Sequence, residues 1–559
     1  MNATLSTTRG RYLGALLIAL LAVAAHLPGL QGDFVRWDDD THVTQNVVIR
    51  AINPHNLLVM FTQPIAKLYC PITWLSYAVD YQIWGRNPLG YHLTNLLLHV
   101  ANTLLVLAIV YRLFASAPSP QSSGTSPEQQ KVRVSAWAAG LLAAAVFGVH
   151  PLRVESVAWI TERKDVLFAF FFLLATETYR RWVKGGRRSA YWACLILFIL
   201  SGLSKSAAVT FPLVALLLDR YWAKRIVWRD KIPFFMVSFI VGATTVMAQV
   251  SGPRDAVAGT DLVPVWVRLG LVGYCALFYV RKFLWPFHLC AVYPAWHEMN
   301  WTPLRSMGFL IAFGVVTLTI WAVRRRIPIL WPCWLFYLCT LSPTIGLLPV
   351  GMQVVADRFS YLPLIGLAIP TACGMTSLLS AAQSKPRIIS SCLSVGIALL
   401  LSFLTLLSVH RTLIWANTET LFQSVLQEHP RCWIAYVKLG SWYRRTQHYD
   451  KAVAYGRRAI EIWPAGLLGI KNLAWSLQQA GQPHEAIRVL RPAVERGEDD
   501  SEVWLTLSEC FVAEGQWQNA SAALREAARH PEISRSRIAS LRAAVEKHER
   551  TVPQGAEPQ

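Results

Sequence analysis

Charge is what this sequence has least of: 15% of its residues are charged while 54% are hydrophobic, and the mean hydropathy is +0.35. That balance excludes an ordinary soluble protein and points to a polytopic membrane protein. Acids are scarcer than bases, 33 Asp+Glu against 53 Lys+Arg, for a formal charge of +20. The excess does not signal nucleic acid. From Arg411 onward 19 Lys+Arg face 17 Asp+Glu, a net of +2, so +18 belongs to the apolar part, where bases cluster in short loops as orientation signals do. The ten cysteines contain no CxxC pair, which argues against both a metal site and a disulfide framework. No nucleotide-sugar motif is apparent. Arg9 and Arg11 precede the first apolar segment, which is long and lacks a small-residue cleavage pattern, so it reads as a retained signal anchor.

Apolar segments separated by basic loops predict about eleven spans in residues 1–410, with the amino terminus cytoplasmic and the carboxyl terminus outside. The strongest cytoplasmic signals are Arg180, Arg181, Lys184, Arg187 and Arg188, then Arg220, Lys224, Arg225 and Arg229, then Arg324, Arg325 and Arg326. Residues 115–134, rich in Ser, Pro, Gln and Gly, read as a flexible cytoplasmic linker. Parity makes 263–284 exceptional. An even number of crossings must separate Val250 from Phe309, so this segment, carrying Arg268, Arg281 and Lys282, is expected to be re-entrant or interfacial.

The candidate chemistry lies where segments leave the membrane on the external side. Trp37-Asp38-Asp39-Asp40 follows the first span. Adjacent carboxylates oppose each other's ionisation, which keeps one basic enough to take a proton from a hydroxyl or lets Asp38 and Asp39 hold a divalent cation. The proline- and aromatic-rich loop to Tyr91 is expected to be ordered on the membrane surface, where it could cradle an acceptor. His92, Asn95, His99 and Asn102 fall on one helical face, either lining a cavity or bonding neighbouring helices. His150-Pro151-Leu152-Arg153-Val154-Glu155 and Thr161-Glu162-Arg163-Lys164-Asp165 supply phosphate-binding and acid/base groups, or else a salt-bridged loop. Lys205, Asp357, Arg358 and Tyr361 lie at further external exits.

Beyond Arg411 a helical pattern repeats every 34 residues: Tyr436, Leu439, Gly440, Tyr443, Ala452 and Ala459 map onto Ile470, Leu473, Ala474, Leu477, Ala486 and Ala493, then onto Trp504, Leu507, Ser508, Phe511, Ala520 and Ala527. This is the tetratricopeptide template, with repeats near 433–466, 467–500 and 501–534, a capping helix at 534–548 and a disordered tail at 551–559. The domain is taken as 411–550. Its groove suits an acceptor or partner, or serves as a docking scaffold.

Taken in order, Trp37-Asp38-Asp39-Asp40, Tyr91-His92-Leu93-Thr94-Asn95-Leu96-Leu97-Leu98-His99, His150-Pro151 with Glu155 and Arg163, Ser204-Lys205, and Ala356-Asp357-Arg358-Phe359-Ser360-Tyr361-Leu362-Pro363, followed by the repeats, resemble the transmembrane and tetratricopeptide-repeat O-mannosyltransferases and their bacterial relatives. The resemblance implies an all-α polytopic bundle of the GT-C glycosyltransferase type followed by an α-solenoid. It implies transfer of a hexose, mannose by preference, from a polyprenyl-phosphate carrier to an external hydroxyl of a protein or envelope glycan, with inversion, in a bacterial inner membrane or ER-like membrane. Asp38 and Asp39 would match the acidic motif, with Asp39 the expected base. Asp40, His92, Asn95, His150, Glu155, Arg163, Lys164, Lys205, Asp357, Arg358 and Tyr361 would line the substrate site, Arg163 and Arg358 neutralising the phosphate. Where relatives usually carry Arg before the proline of the first loop, this chain has Cys70-Pro71. A non-catalytic scaffold that recruits proteins through its repeats, or a transporter of lipid-linked sugar or polymer, is the alternative.

Overall fold

The computed structural model describes residues 8–66, 68–115, 127–223, 225–250, 263–346, 353–530 and 535–551. Among them there are helices and short turns but no strand, so the all-α class holds. Most of the expected linker at 115–134 and the tail beyond 551 lie outside the described residues. The chain divides into two compact units, Met1–Asn417 and Thr418–Gln559.

Among the described residues of the first unit, six helical stretches are long and apolar enough to cross a membrane: Thr8–Gln31, Pro88–Ala115, Trp228–Ala248, Pro303–Arg325, Ile365–Ala382 and Arg387–Ile414. Val134–Val149 with Pro151–Ala158, bent by 59° at His150, makes a seventh if the pair is one span. This unit is integral to a membrane. The other expected crossings are shorter or charged. Arg188–Ser204 and Leu330–Leu341 are short, and Arg163–Gly185 carries ion-paired Glu177 among several bases.

The segment expected to break parity is one continuous helix, Val265–Leu284. It packs on Pro303–Ala322 through two glycines: a Cβ on Gly270 would meet Ser306, and one on Gly273 would come within 2.6 Å of the Phe309 carbonyl. The contacts advance in the same direction along both helices. Small residues let the backbones approach this closely in an apolar medium.

Between the first two spans, residues 33–87 fold into an ordered cap. Asn53 caps the helix Pro54–Thr62 by accepting from Asn56 N at 2.8 Å, and Pro71 opens the next helix, Pro71–Trp84. That helix ends at Gly85, whose φ of +59° suits glycine. Trp74, Tyr77 and Tyr91 pack with Ile49 and Met60 beneath it. The membrane core is built on Phe172, Phe198, Phe211 and Phe234, whose rings meet edge-on, stacked or tilted.

In the second unit Trp433–Arg445 pairs with Tyr449–Ile462, Leu467–Gln479 with Pro483–Glu495, and Ser501–Ala513 with Trp517–Ala527. The first helices of the pairs start 34 residues apart, as the repeat requires. Ala474, Leu477, Leu490 and Leu507 fill the core between pairs, and Arg535–Thr551 covers the last one.

Candidate functional site

The acidic run is divided by burial. Asp39 is 1% exposed, and three donors converge on it: Val35 N on Oδ2 at 2.7 Å, and both Thr161 N at 3.0 Å and the Thr161 hydroxyl on Oδ1. Burial pushes its carboxyl up from the ordinary 3.8 to about 7, against the pull of the Thr161 and Val35 hydrogen bonds. Asp38 is half-buried. Asp40 accepts from Thr41 N at 3.0 Å and starts the turn Asp40–Thr44.

Opposite the run, Glu162 gathers three cations. Its Oε1 lies 3.2 Å from Lys164 Nζ and 3.3 Å from Arg358 Nε, and its Oε2 lies 3.6 Å from Lys205 Nζ. Burial opposes the Glu162 charge, but Lys164, Lys205 and Arg358 together hold it well below the usual carboxylate range. Burial likewise works against the Lys164 ammonium, and Glu162 and then Asp38 overcome it. Arg358 also bonds Glu155 Oε1 at 2.5 Å and Gln353 Oε1 at 2.7 Å, while Lys205 pairs with Asp165. The cations are 14–17% exposed and the carboxylates behind them 1–2%. The positive groups therefore form the outer layer. Trp159 lies under Arg358, 5.5 Å from ring to guanidinium, with Trp37 and Trp415 against it.

Several expected contacts are engaged elsewhere. Arg163 is fully buried and bonds Asp80 Oδ2 at 2.6 Å, Tyr91 O at 2.8 Å and the Asn95 amide oxygen. Its guanidinium ties Pro71–Trp84 to Pro88–Ala115 and is not turned to a ligand. The polar stripe bonds neighbouring helices. Asn95 donates to Val157 O and Trp159 O, both at 3.2 Å, while His99 and Asn102 meet the Tyr361 hydroxyl at 2.8 and 3.1 Å. The His92 ring is buried against Gly32, where a Cβ would lie 3.1 Å from Nε2. His150 is held by Phe283 O at 3.0 Å and stacks on the Phe283 ring. Asp357 accepts from the Tyr293 hydroxyl at 2.8 Å and lies 3.8 Å from Arg411; burial raises its carboxyl.

Asp38, Lys164, Lys205 and Arg358 remain as outward groups. Thr161, Glu162 and Asp165 complete the cluster. The sequence placed all three in a charged turn, but their partners are fixed only by folding. The donor set does not fit a divalent cation. Asp39 already accepts three hydrogen bonds, and among the described residues no three His, Cys, Asp or Glu side chains gather with metal-holding geometry.

The first unit thus defines an integral membrane protein with an ion-paired site beside a carboxylate loop, and the second a tetratricopeptide domain. The tetratricopeptide repeat family matches residues 419–466 and 477–545. Most of the chain is similar to the transmembrane and tetratricopeptide-repeat O-mannosyltransferases. "Protein O-mannosyl-transferase TMTC3" of Mus musculus is 22% identical over 522 residues, covering 84% of this chain and 53% of the relative. "Protein O-mannosyl-transferase TMTC4" of Mus musculus is 29% identical over 199 residues, 33% of this chain and 26% of the relative. "Protein O-mannosyl-transferase Tmtc2" of Drosophila melanogaster is 31% identical over 235 residues, 39% and 23% respectively. The chain therefore spans from about a quarter to about half the length of these curated relatives.

Proposed function

We propose that this protein is a membrane O-mannosyltransferase that moves mannose from a polyprenyl-phosphate carrier to a hydroxyl of a protein or envelope glycan on the external face, with its amino terminus cytoplasmic and its repeats outside. The observation that carries the reading is a half-buried carboxylate, Asp38, next to a buried one that is bonded on both oxygens, Asp39, with an outward layer of cations nearby. A base must be reachable by the acceptor. Asp38 is half-buried whereas Asp39 is 1% exposed, so the base is assigned to Asp38, and Asp39 becomes the residue that holds the loop. Asp38 takes the acceptor proton as the acceptor oxygen bonds to the anomeric carbon; the bond to the phosphate oxygen breaks and its electron pair leaves with the phosphate. One in-line displacement inverts the centre. Lys164, Lys205 and Arg358 stabilise the departing charge, and Arg358 can present two donors at once. Arg163 acts by position, fixing the helix from which Lys164 projects.

The internal pairing of every cation in the cluster also suits the scaffold alternative. One assay separates them: transfer of radiolabelled mannose from polyprenyl-phosphate-mannose to envelope acceptors in membranes. Transfer by wild type, lost in Asp38→Asn at equal expression and melting temperature, supports the transferase. Absence of transfer with this and other polyprenyl-phosphate sugars would leave the scaffold.

A further inference from the structure

Asp219 and Lys231 pair across a stretch that carries Arg220, Arg225 and Arg229. Lys231, 1% exposed, lies 2.7 Å from Asp219, which also accepts from the Tyr179 hydroxyl at 2.5 Å. This buried pair satisfies one base. Arg220, Arg225 and Arg229 are exposed, and among the described residues none of them pairs with a carboxylate. Between Arg225 and Arg229 the chain exposes three apolar residues, Ile226, Val227 and Trp228, the last at 62%. Apolar residues alternating with guanidiniums at the end of a span suit the headgroup layer, where Trp anchors and Arg meets phosphate.

Trp228 is also the upper wall of an apolar groove of about 430 Å³ that runs down the next helix between Ile232, Phe235, Met236, Phe239 and Ile240. The groove shares no residue with the acidic site. An apolar groove lined by Trp228, which stands between the exposed Arg225 and Arg229 in the chain, is complementary to a molecule with an anionic head and a hydrocarbon tail. We propose that it binds an anionic phospholipid, the acyl chain in the groove and the headgroup phosphate on Arg225 and Arg229. Zwitterionic lipid would gain the groove but not the charge. This site stands independently of the proposed transfer.

The test is native mass spectrometry of the full chain in detergent, titrated with dioleoyl-phosphatidylglycerol, dioleoyl-phosphatidylcholine or inorganic phosphate. Wild type is expected to take up phosphatidylglycerol in preference to phosphatidylcholine. Arg225→Gln with Arg229→Gln should weaken that binding roughly tenfold or more, since each base near an anionic headgroup contributes appreciably. Met236→Trp, which fills the groove and spares the charges, should weaken both lipids. Arg187→Gln with Arg188→Gln, on another exposed basic loop, should change nothing. Unchanged phosphatidylglycerol binding in the first double variant, or equal loss in the second, would overturn the proposal. So would displacement of the lipid by inorganic phosphate, which would make this a free-anion site.

Discussion

Thr161→Val tests what Asp39 does. The substitution keeps side-chain volume and the Thr161 N–H bond to Asp39, and removes only the hydroxyl that donates to Oδ1. A hydrogen bond to a charged group contributes about 1.5–3 kcal/mol, and one pKa unit is about 1.4 kcal/mol. The lost bond favoured the ionised form, so the Asp39 carboxyl, about 7 in the native protein, should rise by roughly one to two units. Protonating Asp39 puts a hydrogen where Val35 N and Thr161 already donate, which frees the loop that presents Asp38. Ionised Asp39 is therefore the working form. Mannose transfer should show an acid limb near pH 7 that moves alkaline in Thr161→Val, while Thr161→Ser, retaining the hydroxyl, should leave it in place. A limb that stays put in the valine variant would refute the assignment of Asp39 as the loop's anchor.

Stability should follow the same group. Its native pKa lies above the unfolded 3.8, so the folded state holds the extra proton between 3.8 and about 7, and stability falls as pH rises through that window. Asp39→Asn should flatten this part of a melting-temperature profile. Arg163→Gln leaves Asp80 uncompensated in a buried site and should cost about 3–5 kcal/mol, seen as loss of folded protein in detergent; Asp80→Asn added to it should recover part of the loss. Gly273→Val drives a side chain into the Phe309 carbonyl, and because backbone cannot yield cheaply it should lower the melting temperature strongly, whereas Gly242→Ala, with open space around it, should not.

The solenoid was legible because a 34-residue period repeats the same small and large positions, and the helices begin at that spacing. The stripe His92, Asn95, His99 and Asn102 was legible as a face, but whether that face meets a cavity or another helix depends on Tyr361, which lies 259 residues beyond Asn102. The choice between Asp38 and Asp39 was equally closed to the sequence. Neighbours in the chain differ here because Thr161, 122 residues away, encloses one of them. Arg163 and Lys164 also looked alike as phosphate ligands. Adjacent positions on a helix point about a quarter-turn apart, so one enters the core toward Asp80 while the other reaches the ion cluster. Charge patterning marked the loops of the candidate site, and only long-range packing decides what their residues touch.

That assignment has a consequence for donor binding. Lys164, Lys205 and Arg358 already hold Glu155, Glu162 and Asp165, so carboxylates occupy the cations before any phosphate arrives. A phosphate-linked donor must compete with these carboxylates, and Glu162, touching all three cations, is the principal competitor. Glu162→Gln keeps the shape and raises the cluster's charge by one. A unit charge about 6 Å from the phosphate at an effective dielectric of about 20 is worth up to ~3 kcal/mol, and solvent at the partly exposed cations reduces this. The apparent KM for the donor should fall by roughly tenfold, equivalent to about 1.4 kcal/mol. Rate at saturating donor should not fall, because the released cations act more strongly on the growing charge of the leaving phosphate than on the ground state. An unchanged or higher KM in folded Glu162→Gln would show that the donor's phosphate lies away from this cluster. In that case the three cations serve only the fold.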